Sequence, residues 1–160
     1  MKLYHGSLEI VERPVIRVPN RTLDYGNGFY TTTSESQATA WVLRKTNRLS
    51  SIGYVNIYEL RDKLLSDLHI LSFDKPSEEW LDFVMNNRTN ADFTHNYDIV
   101  RGPVANDRVY AAFALFESGF INKVELIKEL KTYKLVDQYL FHTEKSLKVL
   151  TFVDAKTIQL

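Results

Sequence analysis

Apolar positions alternate at short range near both ends of this chain and fall into helical stripes in its middle. Lys2 to His5 reads as an opening strand that stops at a Gly6-Ser7 turn, and Pro14 to Val18 reads as an edge strand. Asp24-Tyr25-Gly26-Asn27-Gly28 is a turn, and the aromatic and β-branched run Phe29 to Thr33 suits a strand. Ser34 stands three residues before Gln37 in the Ser-x-x-Gln capping-box pattern. Ala38, Trp41 and Val42 share one face of the helix it opens, which runs to about Asn47. Gly53 to Leu60 alternates again, and Leu68 to Phe73 is a short apolar run; both predict strands.

Pro76, followed by Glu78 and Glu79, opens a second helix carrying Trp80, Leu81, Phe83 and Val84, with its acids at the positive end of the dipole. Tyr97 to Val100 is a further strand. Asn106 or Asp107 caps a helix with Val109, Ala112, Phe113 and Phe116 that Gly119 closes, and another helix covers Lys123 to Lys131. Gln138 to Thr143 and Val149 to Asp154 return to strand character on either side of Glu144 to Leu147. Strands at both ends around a helical middle make the expected class α+β rather than alternating βαβ.

No repeat, low-complexity tract or linker divides the 160 residues, so a single domain is expected over residues 1–160. Hydrophobic residues at 44% and charged residues at 25% suffice for a packed core and exclude a disordered chain. Twenty Lys and Arg balance twenty Asp and Glu, which argues against broad electrostatic capture of nucleic acid or anionic lipid. Folding could still gather Arg13, Arg17, Arg21, Arg44, Lys45 and Arg48, although a solvated surface is the better reading of that group. The absence of cysteine removes disulfides, thiolate catalysis, Fe–S clusters and Cys-ligated zinc. His69, His95 and His142 lack metal-ligand spacing, so no metal is expected. With no signal-length apolar N-terminus and no run of roughly 20 apolar residues, the expectation is a soluble, cytoplasmic protein with no membrane partner.

Three segments place small or polar residues beside a strand, where backbone and side chains can meet a ligand. They are Tyr4-His5-Gly6-Ser7, Gly26-Asn27-Gly28-Phe29-Tyr30-Thr31-Thr32 and Asp137-Gln138-Tyr139-Leu140-Phe141-His142. The serines lack a Gly-x-Ser-x-Gly elbow and the glycines lack both the Gly-x-Gly-x-x-Gly and the Walker patterns, which disfavours Rossmann and P-loop chemistry. In order and spacing the three segments resemble the signature segments of the ADP-ribosyltransferase superfamily in its His-Tyr-Glu branch. Tyr4 to Ser7, Asp24 to Thr32, Gln37-Ala38-Thr39-Ala40-Trp41 and Asp98 to Asp107 are similar to the bacterial DUF3990 family.

The resemblance implies an ADP-ribosyltransferase-like fold of two small antiparallel or mixed sheets with flanking helices and a cleft for NAD as substrate. It implies that His5 holds a ribose hydroxyl, that the Gly6 backbone grips the nicotinamide amide, and that Tyr30, with Thr31 beside it and Trp41 eleven residues later, flanks the nicotinamide. A neutral imidazole offers one donor and one acceptor, a residue without Cβ lets the main chain approach a planar ring, and an aromatic face suits a cationic ring. Gln138 stands where the branch has its catalytic Glu. Gln keeps an acceptor oxygen but carries no charge and cannot act as a general base, a loss that costs about 10²–10³ in rate. Asp98, Asp107, Asp137 and Glu144 are the alternative carboxylates, each better explained as a cap or surface residue.

The implied function is mono-ADP-ribosyl transfer, with His5, Tyr30 and Gln138 as the catalytic set. A macromolecular acceptor is expected, protein before nucleic acid, and a toxin–antitoxin or defence setting with a cognate antitoxin. Two alternatives stay open: a non-catalytic NAD or ADP-ribose binding module, and an NAD glycohydrolase.

Overall fold

The computed structural model describes residues 1–17, 23–49, 51–103, 107–133 and 135–159. Among these residues seven strands join in one mixed sheet: β1 (Lys2–Ser7), β2 (Phe29–Thr32), β3 (Ile52–Leu60), β4 (Ile70–Ser72), β5 (Ile99–Pro103), β6 (Asp137–Phe141) and β7 (Leu150–Gln159). Their spatial order is β4-β5-β6-β2-β1-β3-β7, with β4 and β5 parallel and every other neighbour antiparallel. Among the described residues five helices accompany them: α1 (Glu35–Leu49), α2 (Glu78–Thr89), α3 (Asp107–Glu117), α4 (Lys123–Leu130) and the single turn α5 (Glu144–Leu147). The α+β class is therefore the observed one.

One hydrogen-bonded sheet replaces the two separate small sheets expected, but it is pinched in the middle. β1 and β2 register at Tyr4↔Thr32 alone, whereas β1 meets β3 at six positions and β2 meets β6 at four. Two broad leaves, β4-β5-β6-β2 and β1-β3-β7, thus share one narrow joint.

Strand alternation sends side chains to two cores. On one face α2, α3 and α4 bury Trp80, Leu81, Val84, Phe113, Leu126 and Leu130 against Tyr25, Val100 and Leu140. On the same face α1 packs Ala38 and Val42 onto Val55 and Tyr4. On the other face Leu3, Phe29, Tyr58, Ile99 and Phe141 are covered by Leu147, Val149 and Leu150, with Val11, Ile16, Leu65 and Leu68 at the margin.

Several boundaries differ from the expected ones for identifiable reasons. Gly6 and Ser7 are not a turn; they extend β1 and pair with Val55 and Tyr54. The described part of the expected Pro14–Val18 strand is irregular, and Val18 lies outside the described residues. Side chains of β3 satisfy the backbone near this segment in place of a ladder: Asn56 Oδ1 accepts from Val11 N at 2.8 Å and Tyr58 Oη donates to Val11 O at 2.6 Å. Leu68 to Phe73 shortens to β4 because a 3-10 turn, Asp62–Asp67, precedes it and Phe73 N already bonds back to Arg101 O. The Tyr97–Val100 strand starts at Ile99 and runs on through Gly102 to Pro103, since those residues register with β6. At Ser34 only half of the capping box forms. Gln37 N donates to Ser34 Oγ at 3.3 Å, while Ser34 N turns to Thr32 Oγ1 at 3.1 Å. The expected Asn106 cap lies outside the described residues.

Candidate functional site

Beyond Tyr4↔Thr32 each strand at the joint follows its other partner. His5 to Ser7 stay with Asn56 to Tyr54 on β3, and Phe29 to Thr31 stay with Phe141 to Tyr139 on β6. A side chain bridges the strands where the ladder ends: His5 Nδ1 lies 2.7 Å from Tyr30 O. A carbonyl oxygen can only accept, so Nδ1 carries the proton. Burial lowers the His5 pKa from its ordinary value, the bond to the Tyr30 carbonyl opposing it, so the ring is neutral near pH 7. Its Nε2 is then a lone pair to which no described residue donates. The ring also packs against Phe29 at 4.4 Å between centroids.

Gly6, the next residue, faces the other side of the sheet, under α1. A Cβ there would stand 2.7 Å from Ala38 O, 2.9 Å from Val42 Cγ2 and 3.1 Å from Trp41 Cε3. Gly53 on β3 makes the same accommodation, with Val42 Cγ1 only 2.4 Å from its would-be Cβ. The helix therefore settles onto the sheet across two glycines, and the indole of Trp41 overlies Gly6. Trp41 remains 38% exposed, with Lys45 Nζ 5.4 Å from its ring centroid. Tyr30 stands on the opposite bank of the joint. Its hydroxyl donates to Gly26 O at 2.6 Å and accepts from Tyr25 N, and burial raises its pKa well above the ordinary value. Thr31 is buried on the His5 face and donates to Tyr139 O at 2.8 Å.

Gln138 is 5% exposed and registers between Thr32 on β2 and Gly102 on β5. Its neighbour there is the phenol of Tyr25, which sequence reasoning passed over as part of a turn. Tyr25 Oη donates to Pro103 O at 2.7 Å and accepts from Trp80 Nε1 at 2.5 Å. Burial pushes the Tyr25 pKa up against the opposing hydrogen bonds of Trp80 and Gln138, so the phenol keeps its proton. The turn that carries it is pinned from outside. Gly26 adopts φ 81°, and Arg88 reaches from α2 to Asp24 at 3.0 Å and to Glu117 at 3.2 Å. The available signal for Tyr25 was a large aromatic with a polar tip inside a Gly-x-Gly turn, a residue type that buries only with a partner for its oxygen.

The sequence-predicted residues thus divide. Gly6, Tyr30, Trp41 and Gln138 lie on the helix-covered face, and His5 and Thr31 lie on the other, the two groups meeting at the parted edges of β1 and β2. None of the alternative carboxylates joins Gln138. Asp98 accepts from His69 N and from Thr143 Oγ1, Glu144 lies in the first turn of α5, Asp137 is on the opposite face by alternation, and the Asp107 side chain is outside the described set. Of the basic group, Arg17 pairs with Glu9 at 2.7 Å and Lys45 covers Trp41, while Arg21 lies outside the described residues.

A second histidine, His142, donates from Nδ1 to Asn27 O at 2.7 Å and meets His95 edge to face at 4.5 Å. Its Nε2 is buried without a partner, and burial lowers its pKa to about 4. Among the described residues no three His, Asp or Glu side chains are placed to share a metal ion, and no helix is long and apolar enough to cross a membrane.

A model of the family described as "Protein of unknown function (DUF3990)" matches residues 1–152. No curated protein and no solved structure matches the chain.

Proposed function

The chain belongs to the DUF3990 family, and from that premise we propose that it is an NAD-dependent mono-ADP-ribosyltransferase acting at the joint between β1 and β2. The observation that carries this reading is His5. Its proton is committed to Tyr30 O, so Nε2 offers an acceptor for a ribose hydroxyl beside a strand edge with no ladder partner. The Tyr30 ring and the Trp41 indole, on either bank, are the aromatic surfaces available to a nicotinamide.

The reaction breaks the bond between the ribose anomeric carbon and the nicotinamide nitrogen. Nicotinamide leaves with the bonding electrons, and one acceptor oxygen or nitrogen bonds to the ribose carbon as it releases its proton. Gln138 Oε1 accepts from a ribose hydroxyl and orients the sugar. It supplies no negative charge to the oxocarbenium-like transition state and removes no proton, so the acceptor itself must be a competent nucleophile. Transfer of single units fits this arrangement better than chain elongation. A toxin role, with an antitoxin that restrains it, is the biological setting proposed.

One feature favours a second reading. The residue at position 138 is uncharged, 5% exposed and set beside a structural phenol, as suits a module that binds NAD without turning it over.

Nicotinamide release from NAD by the purified protein, with and without cell lysate and beside His5→Ala, tests both. Release that needs His5 and rises with lysate supports transfer, and release indifferent to lysate means hydrolysis. Saturable NAD binding without release leaves the binding module. Absence of binding overturns both readings.

A further inference from the structure

We infer that the outer edge of β7 is an interface between two copies of this chain, which pair β7 to β7 antiparallel about a two-fold axis at Ala155, with Asp154 of each copy opposite Lys156 of the other. β7 ends the sheet, and among the described residues no strand pairs with its far side. The opposite end of the sheet is closed by β4, whose three residues offer little to a further strand, whereas β7 offers ten.

The direction of the backbone bonds shows which groups of β7 are free. Leu60 N donates to Met1 O and Arg61 N to Val149 O, each at 2.9 Å, so even-numbered residues of β3 turn to β1 and odd-numbered ones to β7. Ile57, Val55 and Gly53 therefore bond to Asp154, Lys156 and Ile158. Tyr58, Asn56 and Tyr54 turn to β1, and their partners on β7, Phe152, Ala155 and Thr157, direct N–H and C=O outward. Ala155 agrees with this pattern: its N–H goes to Asp154 Oδ1 at 2.8 Å.

A second β7 satisfies these groups in one register. Ala155 faces Ala155 and each donates to the other's carbonyl, while the bulge at Val153 takes up the extra residue and sets Phe152 opposite Thr157. Asp154 and Lys156 stand opposite Ile57 and Val55, so they share the face that α1 covers, and both are exposed. About the axis, Asp154 of one copy meets Lys156 of the other, twice by symmetry. Opposite charges directly across a ladder stabilise it and like charges weaken it. The neighbouring register, Ala155 against Thr157, sets Lys156 against Lys156 and is thereby disfavoured. In the single chain Asp154 serves as a cap on the free Ala155 N–H and Lys156 pairs with Glu35. Pairing gives that N–H a carbonyl from the second copy and releases the Asp154 carboxylate to Lys156.

Sedimentation velocity of the wild-type protein from about 1 to 300 μM, a range that covers weak association, is expected to show a monomer passing into a dimer. Asp154→Lys and Lys156→Asp each set like charges at both symmetric positions and should raise the dissociation constant at least about tenfold. Both side chains are exposed, and circular dichroism checks that the variants are folded. An equimolar mixture of the two variants sets two positive charges on one strand against two negative charges on the other, and should dimerise where neither variant does alone. The double variant carrying both substitutions restores opposite charges within one chain and should dimerise like the wild type. A wild-type protein that stays monomeric over the whole range overturns the inference and leaves the edge to a different partner. A dimer indifferent to either single substitution places the interface elsewhere, and failure of the mixture to dimerise overturns the register.

Discussion

Gly6→Ala separates two explanations of one residue, a glycine kept so that a ligand can approach the backbone and a glycine kept so that α1 can. The added methyl would lie 2.7 Å from Ala38 O and 2.9 Å from Val42 Cγ2, against roughly 3.4–4 Å for ordinary contact. Ala38 O is helix backbone and cannot rotate aside, so α1 must lift, and Gly53 beneath Val42 holds it down at a second point. Overpacking of this kind costs about 1–3 kcal/mol. Because Gly6 does not have positive φ, alanine returns about 0.4–1 kcal/mol by restricting the unfolded chain. The net expectation is a loss of about 1–2 kcal/mol, or roughly 2–8 °C in Tm for a domain of this size. Urea denaturation followed by tryptophan fluorescence measures it, with Trp41 on the displaced helix and Trp80 in the other core as a reference. A stability within about 0.3 kcal/mol of wild type would refute the packing argument. If NAD affinity fell at the same time, the ligand explanation alone would account for the glycine.

Three further outcomes are expected. Gln138→Glu loses about 1–3 kcal/mol at pH 7, through desolvation of a carboxylate at a position only 5% exposed. The folded variant would hold a proton that the unfolded chain has lost, so the deficit is full above the raised folded-state pKa and disappears below about pH 4.3; urea titrations at both ends of that window check the sign. The folded-state pKa of His142, lowered to about 4, means that only the unfolded chain takes up this proton as pH falls from about 6.5. Stability should drop over that interval by at most about 3 kcal/mol, and His142→Asn, which keeps a donor for Asn27 O, should flatten the pH profile. Arg88→Met strands the Asp24 carboxylate, only 12% exposed, and should cost about 1–3 kcal/mol, measurable as a lower urea midpoint.

What the chain discloses before its structure is known follows from the range of the forces involved. Helices α2 and α4 are readable because an apolar stripe lies within one segment, but their caps went unread: Ser77, not Pro76, stands next to the first turn of α2, and Ser77 and Asn122 each accept from the third residue of their helices. Strand ends are harder to read because they depend on partners. Alternation in β7 breaks at Val153 and Asp154, where the register slips: Tyr58 faces Phe152 while Ile57 faces Asp154, leaving Val153 as the extra residue of a bulge. The pattern therefore stops at Asp154 although the strand continues to Gln159. Gly6 shows the opposite error, since a glycine that punctuates a sequence was here a seat for a helix 32 residues away in the chain.

The candidate site was legible as a set of residues but not as an arrangement, and the reason is the two-residue period of a strand. His5 and Gly6 are consecutive, so their side-chain directions point to opposite faces of the sheet, as do those of Tyr30 and Thr31. Inside a continuous sheet such neighbours cannot touch one small ligand. They can do so only at an edge, where a molecule entering between strands meets backbone and both faces together. The lone Tyr4↔Thr32 pair supplies that edge in the middle of the sheet, and the His5 imidazole, bonded across it to Tyr30 O, both marks it and keeps its Nε2 turned away from that bond. A motif of consecutive strand residues thus identifies a site only in company with a break in strand pairing, and the break is what the sequence alone cannot display.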